Sequence, residues 1–339
     1  MQNTITASHT PARLRLALVG LGNQGQEHLM AAKACTNVEF VAGVDPSEST
    51  RTAVAARYPE LCLQLVSDLR DLAPGTIDAW VIALPHHCYE SIWDAVLASG
   101  LPILKEKPLG RSYDEALSLL QRARAAGCPV QTAIQRRHHP SYQRLKQALL
   151  ERNAQIEEIH AHLHLGFAAT TGDEGSWRGD LQTAGGGALL DAGYHLVDLI
   201  HYLTGPFDLV SSSLWRGQQL AGADEIDDRA WLMGRSERCW VMLDSWRAGH
   251  PNPETGKLQK SESVRLKTNQ GLWEANREGV WHNGVCLDSM ERDWLHAMVE
   301  QLETFARHIR SGQWHDATIW DQLPAMRVID EAYRLAARY

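Results

Sequence analysis

From Leu14 to Ala133 short apolar runs alternate with stretches of helical spacing, the pattern of a parallel sheet wrapped by helices. The runs are Leu16 to Val19, Val38 to Val44, Ala79 to Leu84, Ile103 to Leu104 and Val130 to Ile134. Between them Gln24 to Ala34, Ser47 to Arg57, His86 to Ser99 and Tyr113 to Ala126 carry Ala, Leu, Arg and Glu at helical spacing, and several end at Gly or Pro.

The texture changes after about Gln135. Pro140 opens a helix to Leu150, Ile156 to Gly166 alternates as a strand, and a Gly-rich loop leads into a helix from Ala188 to Leu203. Leu209 to Trp215, Ala230 to Met233, Cys239 to Leu243, Val264 to Thr268 and Gly279 to His282 follow at hairpin-like spacing, with breakers at Gly222, Gly234, Pro251 to Gly256 and Gly271. Two closing helices span Met290 to Ser311 and Trp320 to Arg338. The expected fold is α/β: a doubly wound parallel sheet over residues 1–135, then an α+β domain over 136–339 with an open, mostly antiparallel sheet. The last helix can pack back on the first domain.

Composition narrows the function. At about 150 residues per domain, 339 residues make roughly two domains. The formal net charge of −8 is spread without basic blocks, so the chain lacks the footprint of a nucleic-acid or anionic-membrane binder. No apolar segment approaches the ~18 residues of a membrane helix, and the polar start from Met1 to Arg13 has no signal-like core, which predicts a cytoplasmic protein. Cys35, Cys62, Cys88, Cys128, Cys239 and Cys286 are far apart and are expected as buried free thiols.

Gly20-Leu21-Gly22-Asn23-Gln24-Gly25 follows an expected strand and opens a helix, the context a dinucleotide fingerprint requires. Its glycines permit a tight turn, backbone approach to a pyrophosphate and close helix packing, with the helix N-terminus facing the anion. Asp45, at the end of the next strand, is placed to accept hydrogen bonds from a ribose. Its carboxylate would repel a 2′-phosphate, so NAD is expected over NADP. Arg51, one helical turn on, could soften that preference.

The chain holds seven lysines against 26 arginines, yet Lys105 and Lys107 flank Glu106 just before Pro108. The carboxyl end of a doubly wound sheet is where ligands bind, and a lysine there can carry a proton or anchor a hydroxyl. Asp191 and His195 are four apart on the expected helix after Gly185-Gly186-Gly187, with Asp198 one turn further, so a carboxylate and an imidazole share a face. His195 suits removal of a hydroxyl proton, and Asp191 could orient its ring or bond a substrate hydroxyl.

In order, Gly20 to Gly25 with Asp45, Leu84-Pro85, Glu106-Lys107-Pro108 and Gly185 to His195 (GGGALLDAGYH) resemble the signatures of the glucose-fructose oxidoreductase/inositol dehydrogenase/rhizopine catabolism family. Arg136-Arg137 with Tyr142, and Ala317-Thr318-Ile319-Trp320-Asp321, are most similar to its inositol dehydrogenase branch. The resemblance implies a Rossmann domain and an NAD(P)-dependent dehydrogenase with Lys107, Asp191 and His195 as its catalytic group. It implies a cofactor wall of Gly20 to Gly25, Asp45, Pro46, Leu84, Pro85, Glu106, Lys107 and Arg136. By that resemblance Trp177, Arg178 and Tyr194, and by its strand position His164, are expected to join the catalytic three around the substrate, a sugar or cyclic polyol, in a homodimer or homotetramer. One departure stands out: Leu84-Pro85-His86-His87-Cys88-Tyr89 has Tyr where relatives place a His, which leaves the contacts under the nicotinamide ribose open.

His160, His162 and His164 alternate on one expected strand, but without an acidic or thiol partner they are not read as metal ligands, and no metal is expected. Arg136, Arg137 and Arg178 hint at an anionic sugar. Two rivals remain: an NAD-dependent glycosidase that oxidises a sugar transiently, and a non-catalytic sugar or nucleotide sensor on the same fold.

Overall fold

The computed structural model describes residues 12–167, 177–222, 224–248, 260–290, 294–314 and 322–336. Six parallel strands form the first sheet: β1 (Leu14–Val19), β2 (Val38–Val44), β3 (Gln64–Val66), β4 (Ala79–Ile82), β5 (Ile103–Glu106) and β6 (Val130–Ala133). Their order, β3-β2-β1-β4-β5-β6, reverses between β1 and β4, which opens a crevice at the carboxyl ends of those two strands. Around the sheet lie α1 (Asn23–Ala32), α2 (Glu48–Arg57), α3 (Tyr89–Leu97) and α4 (Tyr113–Ala125). The pleat of β1 sends Leu16 and Leu18 into one core and Ala17 and Val19 into the other, so apolar side chains line both faces. β3 had no sequence signal because it is three residues long and none of them is fully buried.

Local chemistry sets the helix ends. Ser47 caps α2 by accepting from Thr50 N, and Ser112 caps α4 by accepting from Glu115 N. In α4 Asp114 and Glu115 lie in the first turn and Arg122 and Arg124 in the last, as the helix dipole favours. α1 differs: its N-cap is Gly22, with no side-chain cap and no acid in the first turn, so its amide groups stay open to an anion.

Among the described residues the second sheet has nine strands: β7 (Ile156–Phe167), β8 (Asp208–Arg216), β9 (Gln219–Leu220), β10 (Arg229–Arg235), β11 (Trp240–Ala248), β12 (Ser261–Thr268), β13 (Gly271–Asn276), β14 (Gly279–His282) and β15 (Val285–Ser289). The order is β15-β14-β13-β12-β7-β11-β10-β8-β9, antiparallel except where β7 meets β11. Ile159, Ala161 and Leu163 of β7 are buried, while His160, His162 and His164 point to the opposite, open face. The added strands β9, β13 and β15 are short or exposed on alternate residues, and their sequence signal merged with the neighbouring turns.

Among the described residues the helices of this half are α5 (Pro140–Glu151), the single turn α6 (Leu181–Ala184), α7 (Tyr194–Thr204), α8 (Trp294–Ser311) and α9 (Leu323–Ala336). The helix expected from Ala188 divides into a π turn at Leu189–Gly193 followed by α7. α8 crosses back: Met298, Leu302, Phe305 and Ala306 share a core with Leu16, Leu18 and Leu29, and Glu303 accepts from the amides of Thr36 and Asn37. α9 packs against α4, α7 and β8. The Ala317 to Asp321 signature and the Pro251 to Gly256 breaker lie outside the described residues.

Among those residues no helix is long and apolar enough to cross a membrane. The cysteines are free, and Cys62 and Cys286 are exposed, which corrects the expectation that all six are buried.

Candidate active site

The loop after β1 is shaped by close backbone approach. Gly20 sits at φ +94°, where a Cβ would lie 2.3 Å from the Ala83 carbonyl oxygen; a Cβ on Gly25 would lie 2.1 Å from that of Gly20. Only hydrogen fits at either place, so the turn folds flat against the β4 loop and brings α1 close beneath it. Asp45 holds the loop from the side, accepting from Leu21 N at 3.0 Å and Ser47 N at 2.9 Å. Each carboxylate oxygen keeps a lone pair for a ribose hydroxyl. Arg51 is turned onto the carbonyls of Asp45 and Pro46, at 2.6 and 3.0 Å. The open amides of α1, the Gly20 to Gly25 cradle and Asp45 fit a dinucleotide.

A pocket of about 200 Å³ opens beside this loop, lined by Gly22, Asn23, Gln24, Leu84, Pro85, Glu106, Lys107, Trp177, Arg178 and Asp191 together with Ala83 and His86. It brings together residues that lie as much as 169 positions apart in the chain, from Gly22 to Asp191. Lys107 Nζ donates to Asp191 Oδ1 at 2.6 Å and to the Asp191 carbonyl oxygen at 3.1 Å. Burial pushes the Asp191 carboxyl toward its neutral form, but Lys107, Arg247 and Arg178 outweigh it and hold the group well below the usual carboxylate range. Arg247 Nε is 3.6 Å and Arg178 Nε 4.0 Å from Asp191 Oδ2. The Arg178 guanidinium also stacks over Trp177, 4.4 Å from the ring centre.

Glu106 accepts from His28 Nε2 at 2.8 Å and from Gln135 Nε2 at 3.4 Å, both on Oε1. Its Oε2 makes no hydrogen bond among the described residues and stays free for a ligand donor. The two lysines of the stretch separate: Lys107 faces the pocket, whereas Lys105 is fully buried behind it.

Asp191 and His195 were expected to share a face, with Asp191 orienting the ring or bonding a substrate hydroxyl; no hydrogen bond joins the two side chains, so the first of these roles is not seen. The carboxylate turns to three cations, and His195 is neutral because burial, Arg136 and Lys107 all push its pKa well below the usual value. Its Nδ1 is enclosed without a partner, which leaves Nε2 as the reachable nitrogen. His195 is 7% exposed and does not line the pocket itself.

Other expected residues are placed elsewhere. Arg136 makes a two-pronged pair with Glu262, at 3.0 Å on each oxygen, and Arg277 and Tyr142 converge on the same carboxylate. Arg137 pairs with Asp198 at 2.6 and 2.7 Å, both buried, so Asp198 is an architectural partner. Tyr194 is fully enclosed in the core. His164 donates to Asp244 at 2.9 Å on the open face of the second sheet. No group of three or more His, Cys, Asp or Glu among the described residues could hold a metal.

Two contributors were not read as site residues, His86 and Arg247. His86 donates from Nδ1 to the Ala184 carbonyl oxygen at 2.7 Å and packs edge-on against Trp177 at 4.6 Å, which holds the Trp177 to Ala184 segment against the β4 loop. Burial pushes its pKa down to about 3, so the ring is neutral and Nε2 is an acceptor. Its position directly after Pro85 was the available signal. Arg247 comes from β11, which has no motif. Tyr89, at the departure from the family pattern, is a core residue beneath β5 and does not line the pocket.

Residues 14–134 match the profile of the oxidoreductase family with NAD-binding Rossmann fold, and residues 142–255 that of the GFO/IDH/MocA C-terminal domain. The chain is 27% identical over 331 residues to the rhizopine catabolism protein MocA of Rhizobium meliloti, covering 96% of each. Among solved structures it is similar to GenD2 from gentamicin A biosynthesis in complex with NAD (TM-score 0.79, 24% identity, 97% of this chain and 96% of that one). It is also similar to levoglucosan dehydrogenase in complex with NADH and levoglucosan (TM-score 0.82, 19% identity, 96% and 98%). With a nucleotide cradle at the switch point of the first sheet and both family profiles matched in order, the chain belongs to the GFO/IDH/MocA family of NAD-binding oxidoreductases.

Proposed function

We propose that this protein is an NAD-dependent dehydrogenase that interconverts a secondary hydroxyl and a ketone on a cyclic polyol or sugar. The observation that carries the reading is the Lys107–Asp191 pair in the same pocket wall as the nucleotide loop. NAD, when bound, supplies the hydride acceptor. Gly20 to Gly25 and Asp45 would hold its pyrophosphate and ribose, and Leu84, Pro85 and Glu106 would flank its reactive end. Lys107, pinned by Asp191, donates a hydrogen bond to the substrate oxygen and favours its alkoxide character. His195, neutral and with Nε2 reachable, accepts the hydroxyl proton. Trp177 offers an apolar face to a sugar ring, and Arg178 a charged rim. Asp45 and the diverted Arg51 support NAD over NADP.

The test is incubation of the protein with NAD⁺, and separately NADP⁺, against inositols, aldoses, aminosugars and uronic acids, followed by the near-ultraviolet absorbance of reduced nicotinamide. Reduction of NAD⁺ with one compound class, lost in Lys107→Ala and His195→Ala while NADH still binds, is expected. Release of an aglycone with no net NADH would replace this reading with the glycosidase one. We further propose a cytoplasmic homodimer or homotetramer formed through the open face of the second sheet, where Trp231 and Trp240 are exposed; light scattering tests the assembly.

A further inference from the structure

Lys105 is 0% exposed, and no carboxylate lies within ion-pair distance of it among the described residues. Burial disfavours the charged ammonium and pushes the Lys105 amine well below its usual pKa, and an apolar side chain of similar volume would fill the space at lower cost. The cost has a visible return. Nζ donates to the Glu106 carbonyl oxygen at 3.1 Å and to the Pro108 carbonyl oxygen at 2.7 Å, and it sits 3.3 Å from the centre of the Tyr89 ring. Those two carbonyls belong to the residues on either side of Lys107. The same stretch is held on its other flank through the Glu106 side chain by His28 and Gln135.

We propose that Lys105 is a positioning residue: by bridging the carbonyls of Glu106 and Pro108 it fixes the backbone on both sides of Lys107 and thereby sets the reach of Lys107 to Asp191. The inference rests on the proposed role of Lys107 in turnover, but its structural core can be read without a substrate. Lys107 spans the 2.6 Å contact to Asp191 from a strand end that would otherwise carry two buried carbonyls with fewer donors. Loosening that end lengthens the contact and weakens the hold of Asp191 on the Lys107 ammonium.

With seven lysines in the chain, ¹³Cε-lysine labelling gives at most seven signals, and the Lys107 signal is identified by its loss in Lys107→Arg. The experiment follows its titration in the unsubstituted protein and in Lys105→Met, with NADH affinity as the check on folding. The expected result is a fall of at least 0.5 unit in the Lys107 midpoint in Lys105→Met, with NADH affinity changed less than threefold. Lys105→Gln, which keeps an N–H donor, restores part of it. An unchanged midpoint makes Lys105 a core filler, and a rise makes it a repelling charge; either overturns the proposal. Should Lys105→Met fail to fold, the same two readings apply to Lys105→Leu, which carries no donor for either carbonyl. Where a substrate has been found, kcat in Lys105→Met falls at least tenfold with KM changed less than threefold. Failure to find any substrate counts against the dehydrogenase reading and leaves the titration result intact.

Discussion

Replacing Lys107 and Asp191 singly and together measures how strongly the structure couples them. Their atoms are 2.6 Å apart with side-chain exposures of 14% and 18%. At an effective dielectric of about 20, unit charges at that separation attract by about 6 kcal/mol, before the cost of removing both from water. Neighbours reduce what the pair contributes, because Asp191 also faces Arg247 at 3.6 Å and Arg178 at 4.0 Å. Lys107→Met therefore leaves the carboxylate held by two guanidinium groups. Asp191→Asn leaves three cations facing one another without the charge that gathered them. We expect Asp191→Asn to destabilise by about 3 kcal/mol, Lys107→Met by about 1, and the double variant to show a coupling energy of about 2 kcal/mol. Urea denaturation followed by tryptophan fluorescence reads all four proteins, with no substrate required. A coupling under about 0.5 kcal/mol, the range of a screened surface pair, would refute the argument. So would a larger loss in Lys107→Met than in Asp191→Asn.

Asp198→Asn leaves the buried Arg137 guanidinium beside a neutral amide and should cost about 3–5 kcal/mol in the same urea assay, with NADH affinity in the folded protein unchanged. Gly25→Ala forces a Cβ to within 2.1 Å of a carbonyl oxygen, and fluorescence titration should show NADH binding weakened at least a hundredfold. Asp45→Ser should narrow the preference for NAD over NADP by about tenfold or more in paired titrations, because it removes the carboxylate that repels a 2′-phosphate. Burial lowers the folded-state pKa of His86 to about 3 and of His139 and His201 to about 4. Between those values and about 6.5 the unfolded chain binds more protons, so stability falls as pH drops through that window, by up to about 1.4 kcal/mol per unit for each histidine. The urea midpoint should decline from pH 7 to pH 5, and His201→Phe should flatten the decline.

Local sequence determined the first sheet well, because strands buried on both faces need unbroken apolar runs and the nucleotide turn needs glycine where a Cβ would strike a carbonyl. β2 spans Val38 to Val44 as the run predicts, and Lys107 and Asp191 were legible because motif spacing marked them. Tertiary structure decided what pairing decides. Arg136, Arg137 and Arg178 look alike in the chain, yet two are neutralised by Glu262 and Asp198, far away in sequence, and only Arg178 reaches the pocket. Lys105 and Lys107 differ by two positions on a strand end, and one is sealed in the core while the other faces the pocket. His195 and Asp191 share a helical stretch, but Asp191 is taken by Lys107 and two arginines from other elements. α8 follows the second sheet in the chain and builds the core of the first. In each case the outcome depends on which distant charge or apolar surface arrives to compete, and residue order records only neighbours along the chain.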